Sequence, residues 1–197
     1  MDKPHIERRK RDIERIKKQI LQAARKLARN NGWQGVSIRN ISKEIEYTPP
    51  VIYEHYKDGK EEILATLEVQ GFTQLEEELG KARTIGKTPQ EQWVSMSEAF
   101  WNFAFANPDL YQVMFNLQGI QSAPADTNAI QVSGKSVLES LKYLHTFPAD
   151  RERFFLTWWA LSHGFVSMKM SGQIPLDKEA LKTHYLEAMK DVLKGFG

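Results

Sequence analysis

The chain has 197 residues, 41% hydrophobic and 26% charged, which suits one large or two small globular cores. It has no cysteine, which excludes a disulfide framework and a cysteine-ligated zinc site. The net charge of +2 hides an asymmetry: residues 1–60 carry 15 Lys and Arg against 8 Asp and Glu, or +7, and the remainder carries 12 against 17, or −5. That is the footprint of a module that meets phosphate joined to one that does not.

The five histidines, His5, His55, His145, His163 and His184, lack ligand spacing, so no metal or other cofactor is expected. The N-terminal stretch MDKPHIERRKRDIERIKK contains no apolar run that would serve as a signal peptide. No later stretch approaches the roughly 20 apolar residues of a membrane span, so a soluble, cytoplasmic protein is expected.

Ile13, Ile16, Ile20, Ala24 and Leu27 recur at helical spacing, which predicts a first helix over about residues 7–30, ended by Asn31-Gly32. Its outward residues include Arg8, Arg9, Arg11, Arg15, Lys17 and Lys18. Such a face can be merely solvated, can meet phosphate through its first turns, or can lie on a membrane surface. The membrane reading is weakened because the aliphatic stripe is needed to cover the helices that follow. Ser37 is a good N-cap for a second, short helix with Ile38, Ile41 and Ile45 inward and Arg39, Asn40, Lys43 and Glu44 outward. Thr48 before Pro49-Pro50 is another start signal, its hydroxyl placed to cap the amide of Val51, and predicts a third helix over residues 49–56. Ile52 and Tyr56 fit the inward side of that helix. A fourth helix is predicted over residues 60–79, with Ile63, Leu64, Leu67, Phe72 and Leu75 inward and Gly80 closing it. Two short helices across a tight turn, preceded by a long basic helix, form the helix-turn-helix arrangement that lays its second helix in the DNA major groove.

The run Ile20-x-x-Ala23-Ala24-x-x-Leu27, Gly32, Gly35, Ser37-Ile38-x-x-Ile41, Thr48, Ile52-Tyr53-x-His55-Tyr56-Lys57 and Lys60-Glu61-Glu62-Ile63-Leu64 resembles the TetR family of bacterial transcriptional regulators over about residues 12–72. Glu46 stands where that family usually has glycine, Pro49-Pro50 replace small or polar residues, and Gly59 is one extra residue before Lys60. A left-handed Glu46 would carry about 1–2 kcal/mol of strain. The resemblance implies that Tyr53, His55, Lys57 and Lys60 hold the DNA backbone around the recognition helix, with Ser37, Arg39 and Thr48 at helix starts near phosphates. Pro49, Pro50 and Glu54 then face the bases. The expected fold is all-α with about nine helices, residues 1–60 forming the three-helix DNA-binding domain and residues 61–197 a larger helical effector-binding and dimerisation domain. Movement along the fourth helix would let an event in the second domain tilt the first.

A fifth helix over about residues 89–106 carries Trp93, Met96, Phe100, Trp101 and Phe103. Asn107-Pro108-Asp109 starts a short sixth through Tyr111, Met114 and Phe115. The stretch GIQSAPADT, residues 119–127, reads as a loop, and a seventh helix to about Thr146 carries Val132, Val137, Leu138, Leu141 and Leu144. The eighth predicted helix, residues 151–170, is apolar on more than one side and so is buried on several faces or pairs with another chain. Here Trp159-Ala160-x-x-His163-Gly164 resembles a signature of one C-terminal TetR subclass. A ninth helix spans about residues 177–196. The eighth and ninth are the expected homodimer interface, where family members pair, with Phe154, Trp158, Leu161, Phe165, Tyr185 and Met189 as candidate contacts.

Fourteen of the 21 aromatic residues fall between Trp93 and Phe165. They make a tight core, or an apolar cavity for a small molecule lined by some of Trp93, Phe100, Trp101, Met114, Phe115, Phe155, Trp158 and Met168, or both, since a ligand can complete an incompletely filled core. His163 is either a polar anchor there or a helix-packing histidine. Catalysis is not expected, because Ser162-His163 are adjacent on one helix and point different ways, and no nucleophile elbow is present. The sequence thus predicts a homodimeric repressor on a pseudo-palindromic operator, released by an apolar or aromatic effector. The alternative is an architectural DNA-binding protein without an effector.

Overall fold

The computed structural model describes residues 3–117, Ile120 and residues 151–196. Among them are eight α-helices and no strand. In chain order these are α1 (Lys3–Asn31), α2 (Ile38–Glu44), α3 (Pro49–His55), α4 (Lys60–Arg83), α5 (Pro89–Ala106), α6 (Pro108–Met114), α7 (Arg151–Met170) and α8 (Lys178–Phe196), with a 3-10 turn at Trp33–Gly35 before α2. The seventh predicted helix and, Ile120 apart, the loop over residues 119–127 lie outside the described residues, so α7 and α8 are the eighth and ninth of the sequence reading.

Two compact units form, Met1–Gly71 with Pro108–Thr127, and Phe72–Asn107 with Asn128–Gly197. Of the described residues, 108–117 and Ile120 fall in the first unit, and α4 contributes to both. In the first unit α1 packs against α2, α3 and α6. Ile20, Ala24, Ile41, Ile52 and Ile63 are fully buried there, the side of each helix that the periodicity marks. Ser37 caps α2 as expected, its Oγ accepting from the Asn40 amide at 3.2 Å. Thr48 does not cap α3 through its side chain. With proline at the first two helical positions the Val51 amide is the first donor available, and the Thr48 carbonyl takes it at 3.1 Å. Glu46 adopts φ 60, the left-handed geometry of the turn between the two short helices.

Gly80 does not end α4, which continues to Arg83. Leu79 and Ala82 are buried on either side of it, and that burial outweighs the roughly 1 kcal/mol a helical glycine costs. The chain stops where the Thr84 hydroxyl and amide both bond the Lys81 carbonyl, at 2.7 and 3.1 Å. α6 ends at Met114, one residue before Phe115, and Asn116 follows at φ 48.

In the second unit α5 packs on α7 and α8. A Thr88–Glu91 capping box with Pro89 at the first turn starts α5. Trp93, Phe100, Trp101, Trp158 and Tyr185 are the largest buried side chains of this unit, and the polar tips of Trp93, Trp158 and Tyr185 are satisfied internally. Trp93 Nε1 donates to the Met189 carbonyl at 3.1 Å, Trp158 Nε1 to Ser97 Oγ at 3.0 Å, and the Tyr185 hydroxyl to the Ser97 carbonyl at 3.0 Å while bonding Ser162 Oγ at 2.8 Å. Four of the candidate dimer contacts are therefore core residues of the single chain: Phe154, Trp158, Tyr185 and Met189 are all 3% exposed or less. α5 supplies the apolar partner that the sequence reading assigned to a second chain. Leu161 and Phe165 keep partial exposure.

Candidate nucleic-acid interface and effector region

The surface of the helix-turn-helix is built by what the core does not use. Because Ile52 and Tyr56 turn inward, α3 presents Pro49, Pro50, Tyr53 and Glu54 outward, with His55 at the margin. Tyr53 keeps 49% of its surface exposed. Arg39, Thr48 and Lys57 are exposed as well, and Ser37 is half-buried by its capping role. Gly59 has φ 61, and a Cβ there would lie 3.1 Å from the Tyr53 ring. The extra residue before Lys60 thus has to be glycine, and it seats Tyr53 beside the start of α4. Lys60 is more committed than the sequence suggests: its ammonium donates to the Trp33 carbonyl at 2.9 Å, and burial lowers its pKa. Tyr56 is inside, its phenol pushed up to about 12 by burial and by the charges of Glu62 and Glu14, with the Lys17 ammonium 5.6 Å from its ring centre.

Sequence reasoning missed the polar cluster that fastens α6 into this unit. The Asp109 side chain, 1% exposed, accepts from Arg25 Nε at 2.6 Å and Arg29 Nε at 2.9 Å, and its carbonyl accepts from Trp33 Nε1 at 3.0 Å. Burial works to raise the Asp109 pKa, but the hydrogen bonds and charges of the two arginines outweigh it and hold the carboxyl below its ordinary value. The signal was faint: Arg25 and Arg29 stand four apart on one side of α1, and Asp109 opens α6, where an acid also suits the helix dipole.

The predicted effector residues divide between the units. Trp93, Phe100, Trp101, Phe155 and Trp158 are brought together in the second, where the Trp158 ring lies 5.7 Å from Trp93, 5.6 Å from Phe100 and 6.0 Å from Phe155. Met114 and Phe115 belong to the first, Met114 standing against Gly71 and Phe115 with its ring 4.5 Å from Tyr111. His163 is half-buried on α7, its Nε2 3.2 Å from Ser167 Oγ and its pKa lowered by burial. A groove of about 560 Å³ in the second unit lies along Gln74, Glu78, Lys81, Ile85, Glu98 and Phe103, and none of the predicted effector residues lines it. Among the described residues no group of three or more His, Asp or Glu could hold a metal ion, and no helix is long and apolar enough to cross a membrane.

Residues 20–67 match the family of bacterial regulatory proteins named for tetR, and residues 93–191 match the tetracyclin repressor-like C-terminal domain. The chain belongs to the TetR family, whose members are helix-turn-helix transcription factors and not enzymes. An uncharacterized HTH-type transcriptional regulator of Bacillus subtilis (strain 168), YobS, is 34% identical over 95 residues, 48% of this chain and 49% of that protein. The chain thus spans about half the length of the curated relative it matches. Among solved structures, a Rhodococcus sp. RHA1 protein of unknown function aligns with a TM-score of 0.73 at 18% identity, over 92% of this chain and 94% of that one. The Bacillus subtilis regulator FadR in complex with stearoyl-CoA aligns with a TM-score of 0.68 at 20% identity, over 91% and 98% of the two chains. At these identities the likeness is one of fold.

Proposed function

We propose that the protein is a ligand-responsive repressor that binds a pseudo-palindromic operator in the cytoplasm as a homodimer. Residues 1–60 read DNA and the rest of the chain binds an apolar or aromatic effector and pairs with a second copy. The observation that carries this reading is the outward side of α3: Pro49, Pro50, Tyr53 and Glu54 are exposed together, beside Arg39, Thr48 and Lys57, within the stretch of residues 1–60 whose net charge is +7. Tyr53, His55 and Lys57 hold phosphates, Ser37, Arg39 and Thr48 meet them at helix starts, and Lys60 steadies the start of α4 through Trp33. Selection of bound DNA from a random pool tests it. A two-fold consensus is expected, with affinity falling by about three orders of magnitude between 50 and 200 mM salt if about six phosphates per dimer are neutralised. A pool without consensus, or a flat salt response, sinks the reading.

The effector half rests on the concentration of Trp93, Phe100, Trp101, Phe155 and Trp158 in the second unit, with His163 as a polar group nearby on α7. Ligand binding there is transmitted along α4, which both units share. To move the dimer from 99:1 to 1:99 the ligand must favour the incompetent state by about 5.5 kcal/mol. About 220 Å² of differential apolar burial supplies that at about 25 cal/mol per Å². A thermal-shift screen of aromatic compounds and long-chain acyl-CoAs, the latter because FadR was solved with stearoyl-CoA, is expected to yield a stabiliser that releases DNA. The internal satisfaction of Trp93, Trp158 and Tyr185 favours the second reading, a packed core in an architectural DNA-binding protein, which a screen without any stabiliser would support.

A further inference from the structure

The family match begins at residue 20, whereas α1 begins at Lys3, so about 25 Å of helix precedes the matched stretch at about 1.5 Å per residue. Arg8, Arg9, Lys10, Arg11, Arg15 and Lys18 are all exposed along it. Its acids answer them only through exposed, loose pairs, Lys10–Glu7 at 3.7 Å and Arg15–Asp12 at 3.6 Å. The side of α1 that carries Ile20, Ile16 and Ile13 continues at helical spacing to Arg9, so the core-facing stripe turns basic as the helix runs past α3. There a groove of about 790 Å³ opens between Arg8, Arg9 and Lys17 of α1 and Glu54 and His55 of α3, with Ile13 and Ile16 also lining it. Asp12 and Glu54 are its acids, and the cations outnumber them. Glu54 also shares the exposed side of α3 with Pro50 and Tyr53, so the groove is continuous with the surface that reads DNA.

We propose that this groove takes the phosphodiester backbone of the duplex flanking each half-site, an inference that rests on the DNA-binding reading above. Cations converging on a concave surface with aliphatic side chains match a strand that alternates anionic phosphates with the apolar edges of sugars. An anionic membrane would need a convex apolar face, and here the isoleucines are recessed behind arginines. From His5 to Lys17 the helix advances about 18 Å, so each half-site is lengthened outward by about five base pairs at about 3.4 Å each.

The test uses the full chain, its selected operator, an Arg8→Gln/Arg9→Gln variant and a Lys57→Ala control, with hydroxyl-radical footprints and affinities between 50 and 200 mM salt. The double variant is expected to keep the consensus and the central protection but to lose the flanking protection. Its log–log salt slope is expected to shrink by about 3–4, four phosphates per dimer at about 0.9 each. Lys57→Ala shortens the slope without moving the footprint's edges. Independently of any variant's folding, trimming the flanking base pairs from the duplex weakens the wild type. Unchanged flanks and slope in the double variant overturn the inference and leave the DNA-binding reading standing. So does loss of the consensus itself, whereas a wild type that selects no sequence overturns both.

Discussion

Ser37 and Thr48 stand before short helices three residues ahead of an available amide, yet only Ser37 uses its hydroxyl to cap. Ser37→Ala is therefore expected to cost about 1 kcal/mol in urea denaturation. Thr48→Ala should stay within about 0.5 kcal/mol of the wild type and still weaken operator binding, because its hydroxyl is not engaged in the cap. A Thr48 variant that loses stability and keeps affinity would reverse the assignment. Asp109 makes the larger contribution. Asp109→Ala is expected to cost about 3 kcal/mol at neutral pH, the lower end for breaking a buried pair, because Arg29 keeps half its side chain in water. The native Asp109 pKa is depressed, so this stabilisation is fully present above the unfolded value near about 3.9 and is lost as pH falls through the native value. Denaturation curves of wild type and variant should therefore converge in acid and separate as pH rises; a gap that persists in acid would assign the loss to packing.

Gly71 decides how closely α4 and α6 approach. A Cβ there would lie 2.5 Å from Met114 Sδ, 2.6 Å from Met114 Cγ and 3.0 Å from Leu110 Cγ. Gly71→Ala is expected to cost about 1–3 kcal/mol by overpacking, and Met114→Ala in the same chain should recover part of it, so the two effects are not additive in a denaturation cycle. Simple additivity would mean that the helices shift without strain. This contact and the Asp109 cluster join residues about 40 to 80 apart in the chain, which is why the four-residue spacing of Arg25 and Arg29 was the one local trace of either. What was legible is local: the stripe Ile13, Ile16, Ile20, the Ser37 cap, the prolines opening α3, and the left-handed turn at Glu46. Gly80 misled because a helical glycine weakens a helix without ending it when the apolar stripe continues through Leu79 and Ala82.

In the whole molecule the hardest feature to read was α7, apolar on several sides and so without a marked face. The structure turns Phe154, Trp158 and Val166 inward and leaves Leu156 55% exposed, and among the described residues nothing stands where a Cβ on Gly164 would be. We expect pairing on that outward side. Sedimentation at micromolar concentration should show a dimer, Leu156→Glu should yield a folded monomer, and Trp158→Ala should unfold the chain; a Leu156→Glu dimer would move the interface elsewhere. The same two-unit organisation scatters the five tryptophans unevenly. Trp33 lies in the first unit and Trp93, Trp101, Trp158 and Trp159 in the second. With a Trp33→Phe variant as the reference, the difference in emission isolates the one buried indole whose N–H donates to the Asp109 carbonyl, in a residue whose backbone carbonyl holds Lys60, and leaves the second unit's tryptophans intact. Its emission would stay blue while α6 grips α1 and shift red when water reaches the indole, giving an optical readout of whether an effector loosens that joint or leaves it closed.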